Sequence, residues 1–462
     1  MEQKMSALSE FGARPIHFIG IGGAGMSGLA RISLSYGFTV SGSDSKDSSV
    51  VQALHALGAT TYVGHDASHC PHEGTVIYSS AVTETNPELR MARERGLTIL
   101  SRAQALSILM SESQAIAVAG THGKTTTSSM LTVALQACGV DPSFAIGGTL
   151  TASGSNAHRG SGDYFVAEAD ESDGSFTAYH PYGAIVTNVE HDHVDYFHSP
   201  HEVTQAFEDF VATISPQGFL VYCADDPGSR ALGERAANAI SYGESSDADL
   251  RIDSIALQAS GSQARVMWKG RAIGELTLIV PGLHNLLNAA AALAAGLRLG
   301  LPAAELLTGL SRFQGAGRRF ELKGSVAGIR VIDDYGHHPT EISVTLDAAR
   351  RYAGDGRVIV LFQPHRYSRT QAFLDNFAHQ LDKADRTILL EIYAASEKPI
   401  PGISAEKIAE KMERGEFIPN YFDAAEAIIS DAKPGDVILT LGAGDVNSLG
   451  PIILDGLSKR FS

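Results

Sequence analysis

The stretch Gly120-Thr121-His122-Gly123-Lys124-Thr125-Thr126-Thr127 constrains the fold more than any other part of the chain. An apolar run, residues 115–119, precedes it, and a helix-compatible run, residues 128–138, follows. That order predicts a buried strand, a glycine-rich turn and a helix. Backbone N–H groups in such a turn converge on an anion, and the helix N-terminus adds the positive end of its dipole. Lys124 is then placed to reach β- and γ-phosphates, and the Thr125 hydroxyl to take a Mg²⁺ site. The common pattern G-x-x-x-x-G-K-[ST] begins with a glycine where this chain has Val118. The competing reading is a plain glycine turn with a chance Lys-Thr, and the strand–turn–helix setting argues against it.

A second turn of related form lies near the start. Residues 16–19 read as a buried strand running into Gly20-Ile21-Gly22-Gly23-Ala24-Gly25-Met26 and a helix to about residue 36. Gly20, Gly22 and Gly25 hold the positions of the G-x-G-x-x-G fingerprint. Asp44 closes the next strand, where an acid commonly bonds a ribose hydroxyl. Ser79 and Ser80, after a strand over 75–78, are placed to contact the same ligand. Alone, this turn also fits a nicotinamide-dependent oxidoreductase. Two phosphate-binding turns in separate units predict two different phosphorylated ligands.

A chain of 462 residues exceeds one ordinary domain. Alternating strand and helix patterns predict an α/β fold in three units: 1–108 (Rossmann-like), 109–316 (P-loop type) and 317–462 (a second Rossmann-like sheet). Residues 1–14 read as a frayed terminus. The net charge of −16 argues against bulk nucleic acid, whose phosphates need a basic face. Cys70, Cys138 and Cys223 are odd in number and far apart, so reduced thiols are expected. The apolar stretch 18–30 is interrupted by glycines, and 286–301 carries Asn288 and Arg298. Neither reads as a signal peptide or membrane span. A soluble, cytoplasmic protein, monomeric or homodimeric, is expected.

In the central unit two predicted strands end in acids: Glu168-Ala169-Asp170-Glu171-Ser172-Asp173 and Glu190-His191-Asp192-His193-Val194-Asp195. Strand C-termini are where an open α/β sheet places its ligand, and carboxylate oxygens suit Mg²⁺. His191 and His193 also admit a zinc reading. Residues 250–280 alternate as a β-meander. An Ala-rich helix then carries Asn285 and Asn288 on one face near its start, for a purine contact or, for Asn285, helix capping. The glycines at 315 and 317 mark a linker. In the third unit, helices are expected over 340–352 and 404–412. Arg366 and Arg369, three apart after a strand, read as carboxylate or phosphate binders.

Taken together, these motifs resemble the Mur ligases, ATP-dependent amide-bond-forming enzymes of peptidoglycan precursor synthesis. The resemblance runs from about residue 15 to 450. It rests on the two glycine-rich turns, the 168–173 acids, Asp333-Asp334-Tyr335-Gly336-His337-His338-Pro339-Thr340-Glu341 and Gln363-Pro364-His365-Arg366-Tyr367-Ser368-Arg369-Thr370. Val118 in place of glycine is usual in that family. The branch it is most similar to adds L-alanine to the lactyl carboxylate of UDP-N-acetylmuramate through an acyl phosphate. A recycling branch that adds a tripeptide is the nearest alternative.

The resemblance implies roles residue by residue. Gly120, Thr121, His122, Gly123, Lys124 and Thr125 would cradle ATP, with Asn285, Asn288, Arg319 and Asp334 at adenine, phosphate and ribose. Gly20, Gly22, Gly23, Ala24, Gly25, Met26, Asp44, Ser79 and Ser80 would hold the UDP-sugar, with His122 and Asn188 near its muramyl end. Thr125, Glu168 and His193 would take Mg²⁺. Tyr335, His337, Arg366 and Arg369 would hold alanine. Lys124, His193 and His337 are the implied catalytic residues, His337 as one candidate base. Several family members use a carbamylated lysine for a second metal; after Lys124 this chain has no lysine until Lys269, so that device is absent.

Overall fold

The computed structural model describes residues 8, 11, 15–79, 81–395 and 397–462. Its strands form three sheets with helices in the crossovers. The first sheet has five parallel strands in the order Thr60–Val63, Val40–Asp44, Ile16–Ile19, Thr75–Tyr78, Thr98–Ser101. Ile16–Ile19 is buried throughout, as a central parallel strand covered on both faces must be. Among the residues expected to fray, Phe11 is instead buried, its ring edge-on to Phe38 at 5.7 Å.

The second sheet has ten strands. Ala239–Gly243, Phe219–Cys223, Gly183–Val186, Gln114–Ala119, Tyr164–Glu168 and Ser143–Leu150 run parallel across its middle. The meander Leu250–Gln258, Gly261–Trp268, Arg271–Leu278 extends this sheet at one edge. Register sets the chemistry: Ala119 pairs with Val186 and Val118 with Glu168, so the ends of three strands open at one level. The helix Leu283–Arg298 packs beside Lys124–Ala137. Residues 289–295 on the former are fully buried, and all but Leu293 are alanines, whose small side chains permit close packing.

The third sheet has the order Glu321–Val326, Ile329–Asp334, Val437–Leu441, Val358–Phe362, Arg386–Leu389, Gly415–Phe417, parallel except for the first hairpin. Asp334, Leu441 and Phe362 align, so the loops after them share one edge. The expected linker is tied down: Gly317 N–H donates to Thr149 O at 2.9 Å, and Thr151 Oγ1 to Gly315 O at 2.9 Å. The helix expected over 404–412 shrinks to Glu406–Ala409, whose one buried residue is Ile408. A single anchor per turn cannot extend it.

Candidate active site

Gly120 ends the central strand at φ +133°, and a Cβ there would lie 1.9 Å from Thr187 Oγ1. That close approach is used: Thr187 Oγ1 donates to the His122 carbonyl at 2.6 Å. Asn188 clamps the same residue, accepting its N–H at 2.8 Å and donating to its carbonyl at 3.2 Å. Gly123 adopts the left-handed conformation as N-cap, so the helix Lys124–Ala137 starts at the turn itself. Asn288 lies against this turn, 2.6 Å from where a Gly123 Cβ would stand. Asn285 donates to the Pro281 carbonyl at 2.7 Å while Gly282 is the N-cap, so Asn285 does not cap the helix.

Lys124 Nζ donates to the carbonyls of Gly120 (2.7 Å) and Thr121 (3.1 Å) and to Glu171 Oε1 (2.9 Å). Burial disfavours its charge, but Glu171, Asp170 and Glu168 outweigh this and raise the amine above its usual value. Thr125 Oγ1 donates to Glu168 Oε1 at 3.1 Å, and Gly147 N–H to Glu168 Oε2 at 2.7 Å. Burial raises the Glu168 carboxyl. Asp170, Glu171 and His193 form a neighbouring cluster whose ligating atoms lie within 4.8 Å of one another. Thr125 and Glu168 thus meet directly, while His193 sits with Asp170 and Glu171. His191 instead turns to the Phe197 carbonyl at 3.1 Å, which leaves the zinc reading without its second imidazole.

The third unit closes on these loops through charge. His122 bridges two carboxylates, Nε2 to Glu190 and Nδ1 to Glu341, each at 3.3 Å. Burial opposes protonation, yet hydrogen bonds and charge from Glu190 and Glu341 raise the ring to about 9. Thr340 Oγ1 donates to Glu190 Oε2 at 2.8 Å. Arg369 Nε pairs with Asp192 Oδ1 at 2.9 Å, both side chains 3% exposed, and Arg366 pairs with Asp195. The two arginines do hold carboxylates here, but the protein's own.

His337 Nδ1 faces the Tyr335 carbonyl at 3.1 Å. A carbonyl only accepts, so Nδ1 carries the proton and Nε2 the lone pair. Burial, partly offset by Glu341, lowers this ring to about 3. The guanidinium groups of Arg318 and Arg319 each lie 5.0 Å from the Tyr335 ring centre. Asp334 is turned inward, accepting N–H bonds from Phe320 and Gly336 at 2.8 Å each. Burial raises it to about 6. Asp334 thereby ties the linker at Phe320 to the loop at Gly336.

In the first unit Gly20 and Ile21 donate N–H bonds to the Ser43 carbonyl at 2.8 and 3.0 Å, and Gly22 N–H to Asp44 Oδ2 at 2.9 Å. Gly23 caps the helix Ala24–Ser35, with Met26 buried in its first turn. Ser79 Oγ is 3.4 Å from where a Gly20 Cβ would be; Ser80 lies outside the described residues. Ala24 O accepts from Asn156 Nδ2 of the central unit at 2.8 Å. A cavity of about 640 Å³ takes its walls from all three units, among them Gly25, Lys124, Glu168, Tyr335 and Arg366.

Three family models match the chain in order: Mur ligase family, catalytic domain, over residues 15–114; Mur ligase middle domain, over 118–296; and Mur ligase, glutamate ligase domain, over 318–444. The chain belongs to the Mur ligase family. The UDP-N-acetylmuramate–L-alanine ligase of Acidothermus cellulolyticus is 49% identical over 454 residues, covering 96% of this chain and 95% of that one. The enzyme of the same name from Streptomyces avermitilis is 50% identical over 453 residues, covering 96% and 97%. Among solved structures, the UDP-N-acetylmuramate–alanine ligase of Thermotoga maritima superimposes with a TM-score of 0.83 at 29% identity, covering 96% of this chain and 99% of that one. A murein peptide ligase from Psychrobacter arcticus gives 0.72 at 27%, with the same coverage.

Several site residues of this Mur ligase escaped sequence reasoning. Glu171, Glu190 and Asp192 stood inside recognised acid clusters, but their partners Lys124, His122 and Arg369 are distant in sequence. Glu341 read as part of a motif without a partner. Arg102 opens the helix Arg102–Met110 and lines the cavity; burial disfavours its charge, which Tyr179, Asp170 and Asp173 more than restore. A lone arginine after a serine gave no signal.

Proposed function

We propose that this Mur ligase joins L-alanine to the lactyl carboxylate of UDP-N-acetylmuramate, converting ATP to ADP and phosphate, in peptidoglycan precursor synthesis. One observation carries the reading: a single cavity takes walls from three units, with Lys124 where they meet. The substrates follow from the relatives at 49–50% identity over 96% of the chain.

The chemistry needs an activated carboxylate, because a free one is a poor electrophile. A carboxylate oxygen attacks the γ-phosphorus, the bond to the β-bridging oxygen breaks, and ADP leaves. Alanine, its ammonium having given one proton to solvent, attacks the acyl carbon as the free amine. The C–O bond to phosphate breaks as the tetrahedral intermediate collapses, and the second proton leaves with the phosphate or to water. Positioning and charge neutralisation do most of this work. Lys124, already held between loop carbonyls and Glu171, exchanges these partners for phosphate oxygens. Asn188 fixes the His122 segment where the muramyl group approaches. Thr125, Glu168 and His193, with Asp170 and Glu171 adjacent, supply the hard oxygen donors and imidazole that would hold Mg²⁺. That ion would neutralise phosphate charge.

Arg366, 30% exposed, is the arginine free to exchange Asp195 for the alanine carboxylate; Arg369 is fixed on Asp192 and orients it. His337 offers a bare Nε2, but a ring held at about 3 is a weak base, so its role is to accept a hydrogen bond from the incoming amine. Among the described residues, no helix is long and apolar enough to cross a membrane. We place the reaction in the cytoplasm, where nucleotide sugars and ATP are available.

The test is mass spectrometry of products after incubation with ATP, Mg²⁺, UDP-N-acetylmuramate and L-alanine. The expected products are ADP and the alanyl amide, with Lys124→Ala slower by a factor on the order of 10² or more. Amide formation at wild-type rate by Lys124→Ala would remove the proposed chemistry.

A further inference from the structure

Glu88, in the first turn of the helix Pro87–Glu94, is a fully buried carboxylate beneath the first glycine-rich turn. Its Oε2 accepts from His17 Nε2 at 2.7 Å and Ser43 Oγ at 2.8 Å. Its Oε1 accepts from His65 Nδ1 at 3.1 Å and the Asp66 N–H at 3.3 Å. His69 Nδ1 lies 3.8 Å away. His17 is itself fully buried and its Nδ1 meets Ser41 Oγ at 2.8 Å. One carboxylate therefore ties together strands Ile16–Ile19 and Val40–Asp44, the segment after Thr60–Val63, and a helix.

Burying a carboxylate is costly, and it is retained only where its hydrogen bonds are complete. Here both oxygens face donors only. The network leads straight to the turn: the Ser43 side chain donates to Glu88, and the Ser43 carbonyl receives the N–H groups of Gly20 and Ile21. The next residue, Asp44, receives the N–H of Gly22. The turn thus hangs on a strand end whose position Glu88 sets.

We propose that Glu88 is the positioning residue of the nucleotide-sugar site, acting through Ser43 on the Gly20–Gly22 backbone. It touches no substrate. This rests on reading the first unit as the site for the UDP-sugar. Glu88→Gln keeps size but removes the charge and sets an amide N–H₂ either against the fixed Asp66 N–H or against His17 Nε2 and Ser43 Oγ, so a bond is lost or His17 and the Ser43 hydroxyl must reverse their donor roles. Ser43→Ala removes the hydroxyl that donates to Glu88 and meets His65 Nδ1 at 2.9 Å, and leaves the Glu88–His17 pair.

The experiment uses the full chain, with calorimetric Kd for UDP-N-acetylmuramate beside KM and kcat for all three substrates. Both variants are expected to weaken UDP-N-acetylmuramate binding about tenfold or more, with kcat and the KM values for ATP and L-alanine changed less than about twofold. Melting temperatures accompany each measurement. An unchanged UDP-sugar Kd in Ser43→Ala, or an equal rise in all three KM values for either variant, would overturn the proposal and leave Glu88 a core residue only. Wild-type binding of the UDP-sugar without ligation would instead count against the ligase reading while leaving the role of Glu88 intact.

Discussion

The His122 imidazole sits between Glu190 and Glu341, one from the central unit and one from the third. Its folded pKa is about 9, against an ordinary 6.5. The sign follows: a group whose pKa is raised on folding stabilises fully below its unfolded value and loses that stabilisation as pH rises through the folded one. The bridge is therefore complete below about pH 6.5 and gone above about pH 9, with an upper bound on the order of 3 kcal/mol. The melting temperature of His122→Gln should fall below wild type at pH 6 and converge on it by pH 10. A constant difference across that range would show that the ring is not charged. The sequence placed His122 in the phosphate loop and, by resemblance, near the muramyl group, but not its charge, since an imidazole becomes a cation through neighbours that sequence spacing does not reveal. Lys124 and Thr125 stood out in the sequence because they belong to the strand–turn–helix unit itself, whereas their partners Glu171 and Glu168 come from the end of another strand.

Among the elements, the helix Leu283–Arg298 packs beside Lys124–Ala137 and on the central sheet. Ala292 in its middle is fully buried. Ala292→Leu overpacks this core, costing about 1–3 kcal/mol, and should lower the urea midpoint with the slope unchanged. An unaltered midpoint would mean that the packing around Ala292 has room to spare. The strand Thr75–Tyr78 was legible to the residue because it is a mostly buried parallel strand, and Thr60–Val63, an exposed edge strand, because β-branched and aromatic residues fill it. The helix over 404–412 was over-read, since mixed polar and apolar residues there keep a helical pattern while Ala405 and Ile408 are its fully buried positions. The meander was legible as strands, but its attachment to the central sheet depends on the pairing of Tyr242 with Leu250, which no local pattern encodes.

For the whole molecule, contact between the second and third units runs through charged pairs, of which Asp192–Arg369 is the most buried. Arg369→Ala strands Asp192 as an unpaired buried charge, a loss of about 3–5 kcal/mol from the closed arrangement. Amide hydrogen exchange should quicken in residues 192–197 and in the helix Tyr367–Ala372, while the strand Val358–Phe362 stays protected. Unchanged exchange at both segments would mean that the pair does not hold the units together. The three-unit order was readable from five motifs in sequence; the way they close was not, because it rests on pairs such as Asp192 with Arg369 that join separate units. The most direct measurement is phosphate release with ATP and UDP-N-acetylmuramate, supplied with either L-alanine or the tripeptide. Release that requires L-alanine, with the tripeptide inert, is the expected result; release with the tripeptide alone would contradict it.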